Sequence, residues 1–502
     1  MTSRVTIDVP LNRVEGDLEV SAEVEDGVVA DARVSATLYR GFERILVGRG
    51  ALDGLVITPR VCGICSSSHL AAAAAALDRI AGVAPPPNAV RVRNTILAAE
   101  HSQSDIRQSF ITFAADFANP AHAGSPLFAE AVRRFEPFRG ETVIEVLRQT
   151  KRLLEVVALL AGQWPHSSSM VPGGVVWAPG LAELTQARLL VLGVRDWYER
   201  KVLGCRADRW AAVTSEAALD SWLDESPAHR DSDLGLLVRL CRDAGLDRMG
   251  RGPGGFLSYG SFAGAGDGAE VPAGAFLEGS RDSFDEARIA EHVSHSWYAE
   301  AGPRHPAEGE TRPYATGVEG GKYSWAKAPR YDGRVVETGP LAEALVAGHP
   351  LVSDLVARHG PTAFARQLAR AIRPAWTLPA IERWLAGADP EGSFYTPPSG
   401  VLDGSGAGLT GAARGALGHW VTIRDGVIER YQIITPTAWN ASPRDDAGRR
   451  GPIEEALVGT PVADPENPVE LGHVVRSFDA CLVCTVHTVR RGRRVGRIRV
   501  GA

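Results

Sequence analysis

From Leu18 to Leu38 the chain reads LEVSAEVEDGVVADARVSATL, with apolar and polar residues alternating on either side of Glu25-Asp26-Gly27. A period of two around a D-G step predicts a β-hairpin. Farther on the period lengthens. Apolar residues recur every three or four positions over Ala89 to Phe117, Glu141 to Gly162 and Leu181 to Leu203, in shorter stretches out to Ala244, and again between Pro340 and Gly387, which predicts long amphipathic helices packed as a bundle. The alanine run SSSHLAAAAAALDRIAG has the strongest helix propensity of all: Ser66 to Ser68 offer N-caps and Gly82 a C-cap. The Gly-rich stretch between Gly252 and Gly279 reads as loop. After Gly411, GHWVTIRDGVIERYQII predicts a second hairpin about Asp425 and Gly426, and short helices follow near Pro452 to Val458 and leading into Cys481. The expected fold is α+β and helix-dominated, a core of long helices with β-hairpins and small sheets at its periphery.

A chain of 502 residues, 44% hydrophobic and 23% charged, can bury a substantial core. Its formal charge of −6 gives no basic face for nucleic acid. The opening MTSRVTIDVPLNRVEGDLEV alternates, and no run of about eighteen uncharged apolar residues occurs, so neither a secretory signal nor a membrane span is expected. A cytoplasmic place follows, with membrane association or export only through a partner.

The cysteines change the picture. Four of six form two C-x-x-C pairs near the chain's ends, Cys62/Cys65 and Cys481/Cys484, while Cys205 and Cys241 stand alone and read as small buried apolar residues. A disulfide framework suits short secreted chains, so thiolates on a metal are the better expectation. One C-x-x-C turn presents two sulfurs to one ion and a second completes four; such a set fits structural zinc, an iron-sulfur centre or nickel, and spacing does not choose among them. Cys62 and Cys65 are expected at a helix N-terminus, where the dipole and free N–H groups favour thiolate.

The flanking residues do choose. Arg13-Val14-Glu15-Gly16, Arg40-Gly41-Phe42-Glu43, R-V-C-G-I-C at Arg60–Cys65, Ala413-Arg414-Gly415-Ala416-Leu417-Gly418-His419, Thr435-Pro436-Thr437-Ala438-Trp439-Asn440 with Ser442-Pro443-Arg444-Asp445 following, and D-A-C-L-V-C-T-V-H from Asp479 stand in one order. In that order the chain resembles the catalytic large subunits of nickel-iron hydrogenases over nearly its whole length. The resemblance implies one large catalytic unit, 1–487, with a β region (1–60), a helical core (66–245 and 340–390) and a C-terminal β and metal-binding region (411–487). It implies that Cys62 and Cys481 bind nickel terminally, and that Cys65 and Cys484 bridge it to an iron carrying cyanide and carbon monoxide. Cleaving H2, a very weak acid, needs a Lewis-acidic metal and a nearby base. By resemblance the Cys481 thiolate and Glu15 are that base and its relay, and Arg414 lies over the open face with Asp116 and Asp479 as anionic partners. Backbone and hydroxyl at Pro436-Thr437 are expected to donate to a cyanide, and His69 to the bridging sulfur. Glu43, the Ile433 carbonyl and His487 resemble ligands of a separate magnesium or iron ion.

After His487 the tail TVRRGRRVGRIRVGA carries six arginines. It resembles the maturation extension (488–502) that a dedicated endopeptidase removes, although composition alone would also fit a basic arm for an anionic surface. No cysteines remain for iron-sulfur clusters, so electrons must leave through a partner; the family supplies a small subunit that carries such clusters, making a heterodimer. Where the family often has proline, this chain has Ala480 and Ala413. A regulatory H2 sensor is the alternative reading. A non-catalytic relative of the quinone-side subunit of respiratory complex I is disfavoured by the presence of all four cysteines.

Overall fold

The computed structural model describes residues 4–481 except 15, 265, 267–269 and 318. The alternating N-terminal segment forms an antiparallel sheet of β1 (Arg4–Leu11), β2 (Leu18–Glu25) and β3 (Val28–Ala36), with β2 central. At the predicted turn Asp26 and Gly27 both take positive φ, 50° and 80°, as a two-residue loop that follows the strand twist requires. Leu18, Val20, Ala22 and Val24 face inward. They pack with Ile453, Leu457, Leu471, Val474, Val475 and Phe478 from near the other end of the chain. Each such side chain, when fully buried, contributes about 1.5–3 kcal/mol, so this shared core fixes the region before Cys481 against the first sheet.

The alanine run forms α1 (Ser66–Ala81), which ends at Gly82 in the left-handed conformation, as predicted. Its start differs from expectation. The N-cap residue is Cys65, and the serines do not cap their own helix. Instead the N–H groups of Ser67 and Ser68 donate to the buried carboxylate of Glu100, at 2.8 and 2.9 Å, and the Ser68 hydroxyl does so at 2.8 Å. Glu100 belongs to α2 (Pro87–Arg107), so one helix places an anion at the positive end of another. Two of the N–H groups expected to favour the cysteine thiolates are therefore taken.

The α-helix expected to reach Phe117 stops at Arg107 and continues as a π-helical turn, Gln108–Phe113, and a 3-10 turn, Ala114–Ala118. α3 (Glu141–Ala161) and α4 (Leu181–Trp197) follow as predicted, α4 running into a second π turn, Tyr198–Leu203. The Gly-rich stretch is not all loop: β4 (Phe256–Ser261) and β5 (Val271–Leu277) pair there. Four helices fill the expected region after Pro340, among them α5 (Pro340–Ala347), α6 (Ala363–Ile372) and α7 (Pro374–Gly387); α2, α3, α4 and α7 supply much of the large apolar core.

The second hairpin is β7 (Gly415–Arg424) and β8 (Val427–Ile434), joined by an unanticipated strand, β6 (Gly404–Ala412). β6 lies so close on α1 that a Cβ on Gly408 would stand 1.8 Å from the carbonyl oxygen of Ala72. Glycine makes that approach possible and at the same time erases the alternation that reveals strands. Short helices α8 (Pro436–Asn440), α9 (Pro452–Leu457) and α10 (Val469–Ser477) complete the path to Cys481.

Candidate metal centre

Cys62 follows a 3-10 turn, Thr58–Arg60; Cys65 heads α1; Cys481 follows α10. All three are buried in one cluster beside Ile64. The sulfurs of Cys62 and Cys481, 419 positions apart, stand 3.5 Å from each other. That is far beyond an S–S bond of about 2.05 Å, and close to the edge of about 3.8 Å between two sulfurs held tetrahedrally at about 2.3 Å by one ion. The backbone N–H of Ile64 donates to the Cys62 sulfur at 3.4 Å. Cys484, His487 and Glu15 lie outside the described residues, as does the tail 488–502. Among the described residues no three His, Cys, Asp or Glu side chains form a complete ion-binding group by themselves, so the sulfur cluster is a partial ligand set.

Arg414 occupies the tip of the β6–β7 hairpin, since Ala412 pairs with Gly415 and leaves Ala413 and Arg414 as the loop. Only glycine fits at 415, where φ is 122° and a Cβ would come within 2.3 Å of Gly339 N. Arg414 Nε donates to the Asp479 carbonyl at 3.0 Å and stands 3.3 Å from Asp479 Oδ2. Burial works against the guanidinium's charge, but Asp479 and then the sulfurs of Cys481, Cys65 and Cys62 outweigh it and hold the pKa above its ordinary value. Asp479 is itself pushed up by burial, against the pull of Arg414 and Arg370. It holds φ at 56°, an uncommon conformation for a non-glycine residue and one found at functional sites.

Three buried atoms of residues near this cluster have no hydrogen-bond partner among the described residues: Arg414 Nη1, Asp479 Oδ2 and His69 Nε2. Buried polar atoms are rarely left so unless something else completes them. Three buried sulfurs supply part of a thiolate ligand set, and a permanent cation with these unpartnered atoms stands beside them, so the residues present fit the nickel-iron centre.

Asp116 is not where it was expected. It is buried, but Oδ1 pairs with Arg13 and Oδ2 with Arg476, the latter at 2.7 Å; Asp479 is the anion beside Arg414. Pro436 has no N–H and opens α8, so any donors there belong to Thr437, whose hydroxyl accepts from Cys481 N–H at 3.0 Å. His69 makes no bond to Cys65 through its ring. Burial lowers its pKa to about 4, against the pull of Cys62.

Glu43 and Ile433 do meet: the Ile433 N–H donates to Glu43 Oε1 at 2.9 Å. The Thr311 hydroxyl donates to the other oxygen of Glu43. Lys327 Nζ lies 3.8 Å from Glu43 and 3.3 Å from Glu291, and donates to Gln432 at 2.7 Å.

Several residues near the site went unread in the sequence. Arg373 donates to the Ala413 carbonyl at 2.6 Å, to both oxygens of Asp105 at 2.7 and 2.8 Å and to Glu343 at 2.7 Å, and so props the loop that carries Arg414. Arg330, fully buried against Asp445 at 2.9 Å, also binds the Ser442 hydroxyl and the Pro443 carbonyl and clamps the turn after α8. His419 and Tyr431 lie behind His69. The only signal for the arginines was their place in segments that otherwise read as apolar helix or core strand.

Fold and site together define a chain whose distant cysteines Cys62, Cys65 and Cys481 converge in one buried cluster. The family model described as nickel-dependent hydrogenase matches residues 40–131 and 238–487. The periplasmic [NiFeSe] hydrogenase large subunit of Desulfomicrobium baculatum is 31% identical, covering 97% of this chain and 95% of its own length. The hydrogenase-2 large chain of Escherichia coli (strain K12) is 28% identical, covering 97% and 98%. Among solved structures, the oxidised Ni-Fe-Se hydrogenase of D. vulgaris Hildenborough superposes with a TM-score of 0.82 at 31% identity, covering 97% of this chain and all of the other. The chain therefore belongs to the nickel-dependent hydrogenases, as a large subunit. All four residues of its two C-x-x-C pairs are cysteine.

Proposed function

We propose that this chain catalyses H2 = 2 H+ + 2 e−, with Cys62, Cys65, Cys481 and Cys484 holding a nickel-iron centre whose iron carries cyanide and carbon monoxide. The observation that carries the reading is the 3.5 Å approach of Cys62 and Cys481 sulfurs from opposite ends of the chain, in the field of a buried arginine. When bound, the centre supplies Lewis acidity and the electron acceptor for H2.

The protein's part is binding, exclusion of water and proton movement. Cys481, fully buried, takes the proton at its sulfur, and Glu15 carries it outward. Arg414 keeps a positive charge over the reacting space at all working pH values. The Thr437 hydroxyl, with its oxygen already accepting from Cys481 N–H, has its proton free to donate to a cyanide. Glu43, the Ile433 carbonyl and His487 hold a magnesium or iron ion that ties the mature C-terminus down. An endopeptidase removes 488–502 after His487 once the metals are in place.

Electrons pass to a small subunit with iron-sulfur clusters. No helix of the described residues is long and apolar enough to cross a membrane. The test is metal analysis of the purified mature heterodimer together with infrared spectroscopy. Nickel and iron in equal amounts, with cyanide and carbon monoxide bands, are expected; zinc alone, or no such bands, overturns the reading.

A further inference from the structure

Three buried arginines, Arg366, Arg370 and Arg373, stand four and three residues apart on one face of α6 and at its C-cap. That face meets both segments on which the metal centre depends. Arg373 donates to the Ala413 carbonyl, next to Arg414, at 2.6 Å. Arg370 Nη1 donates to the Ser477 carbonyl at 2.8 Å, and the Arg366 guanidinium lies over the Phe478 ring, 3.8 Å from its centroid. One helix therefore holds the Arg414 loop and the end of α10 before Cys481 in fixed relation.

Burying a guanidinium is costly unless a carboxylate pairs with it, and the two outer arginines are so paired. Arg366 binds both oxygens of Glu337, at 2.7 and 2.8 Å, and Arg373 binds both oxygens of Asp105 and one of Glu343. Among the described residues Arg370 has no carboxylate of its own. Its hydrogen bonds go to the Ser477 carbonyl and, at 3.5 Å, to Gln367, and its Nε has no partner. Burial draws its pKa down to about 10, which still leaves it charged, and the first anion to act on it is Asp479. Asp479, pushed up by burial, is opposed first by Arg414 and then by Arg370. Two cations thus share one anion. Asp479 alone would cancel Arg414, whereas with Arg370 behind it the trio keeps a single positive charge, which suits a pocket of cysteines that bind metal as thiolates.

Resting on the reading of the sulfur cluster as a metal site, we propose that Arg370 is a positioning residue for the reaction: it shares Asp479 with Arg414, so that the guanidinium beside the sulfurs keeps its charge, and it fixes the Ser477 carbonyl, so that the segment leading to Cys481 keeps its place. Arg366 and Arg373, neutralised by their own carboxylates, hold the same two segments without adding to that charge. The sequence offers no hint of the division, because all three are arginines in one apolar helix, and only the carboxylates brought by other elements tell them apart.

Infrared spectroscopy, metal analysis and steady-state kinetics of three variant heterodimers separate the charge from the hydrogen bond. Arg370→Lys keeps a cation and a donor for Ser477, Arg370→Gln keeps the donor alone, and Arg370→Met keeps neither. The bands of the iron ligands should hold their places in Arg370→Lys. In Arg370→Gln and Arg370→Met they should move to lower frequency, with kcat down about tenfold, the low end for losing an outer partner of a metal site, and with KM for H2 and nickel content unchanged. Bands unmoved in Arg370→Gln, or a loss of turnover that merely follows loss of nickel, would overturn the proposal. Should Arg370→Met fail to accumulate, Arg370→Gln against Arg370→Lys still decides. Absence of the bands from the wild type overturns the nickel-iron reading and this proposal with it, whereas bands present there and unmoved by Arg370→Gln overturn this proposal alone.

Discussion

Two buried polar pockets border the β7–β8 hairpin, and they are completed in different ways. Around Glu43 the protein satisfies itself: Lys327 lies between two carboxylates, Thr311 and the Ile433 N–H bind Glu43, and Gln432 accepts from the lysine. Around Cys62, Cys65 and Cys481 it does not. Arg414 Nη1, Asp479 Oδ2 and His69 Nε2 have no hydrogen-bond partner among the described residues, Asp479 Oδ2 being held only by the charge of Arg414. A self-satisfied pocket stabilises the fold whether or not an ion joins it, whereas unpartnered buried groups impose a cost that a guest must offset. The comparison sets the thiolate pocket apart as the one whose buried polar atoms the described residues do not complete.

The sharpest break is at a sulfur. Cys481→Ser should abolish both nickel binding and H2 uptake, while Cys205→Ser, far in sequence from either pair, should change neither; retention of nickel and turnover by Cys481→Ser would refute the assignment. Next, Arg414→Lys should lower kcat about 100-fold with nickel content intact, since an ammonium cannot both hold Asp479 and present a flat cationic fork to the cluster. Steady-state uptake beside metal analysis separates that outcome from simple loss of the centre.

The oxygen-rich pocket should answer with stability. Lys327→Met leaves Glu43 and Glu291 buried without their cation and should cost about 3–5 kcal/mol, read as a lower melting temperature. Added Mg2+ should restore part of it if Glu43 also binds an ion in the mature protein.

The smallest effect concerns pH. Burial holds the His473 pKa at about 3, below the ordinary 6.5, despite the pull of Asp116. The unfolded chain then binds a proton that the folded one refuses, so stability falls as pH drops from about 6.5 towards about 3. At pH 5 this one group should contribute a loss of about 2 kcal/mol. His473→Gln should flatten that part of the melting temperature against pH curve; an unchanged slope would contradict the buried, neutral state.

What could be read from the chain followed its periodicities. Leu18 to Ala36 announces a hairpin because every second side chain of β2 is buried; Gly415 to Ile434 does so through its sequence pattern about Asp425-Gly426, although β7 is buried on both faces. β6 and the pair β4–β5 hid themselves because glycines carry no side chain to alternate. The π turns after Arg107 and Trp197 were invisible for another reason: a shift in hydrogen-bond register leaves residue types unchanged. In the site, the cysteines and Arg414 could be named from motifs, but charge pairing could not. Asp116 was assigned to Arg414 by resemblance, while the fold gives it to Arg13 and Arg476. Likewise Ser66 to Ser68 look like caps until Glu100, from a different helix, takes the N–H groups of Ser67 and Ser68. Such pairings depend on which helices meet, and no local pattern records that.

Anomalous diffraction from crystals of the mature heterodimer at the nickel absorption edge bears most directly on the central claim. A nickel peak within bonding distance of the Cys62 and Cys481 sulfurs, under the Arg414 guanidinium, is the predicted result. A zinc edge signal in its place, or four cysteines that do not share one ion, would contradict it.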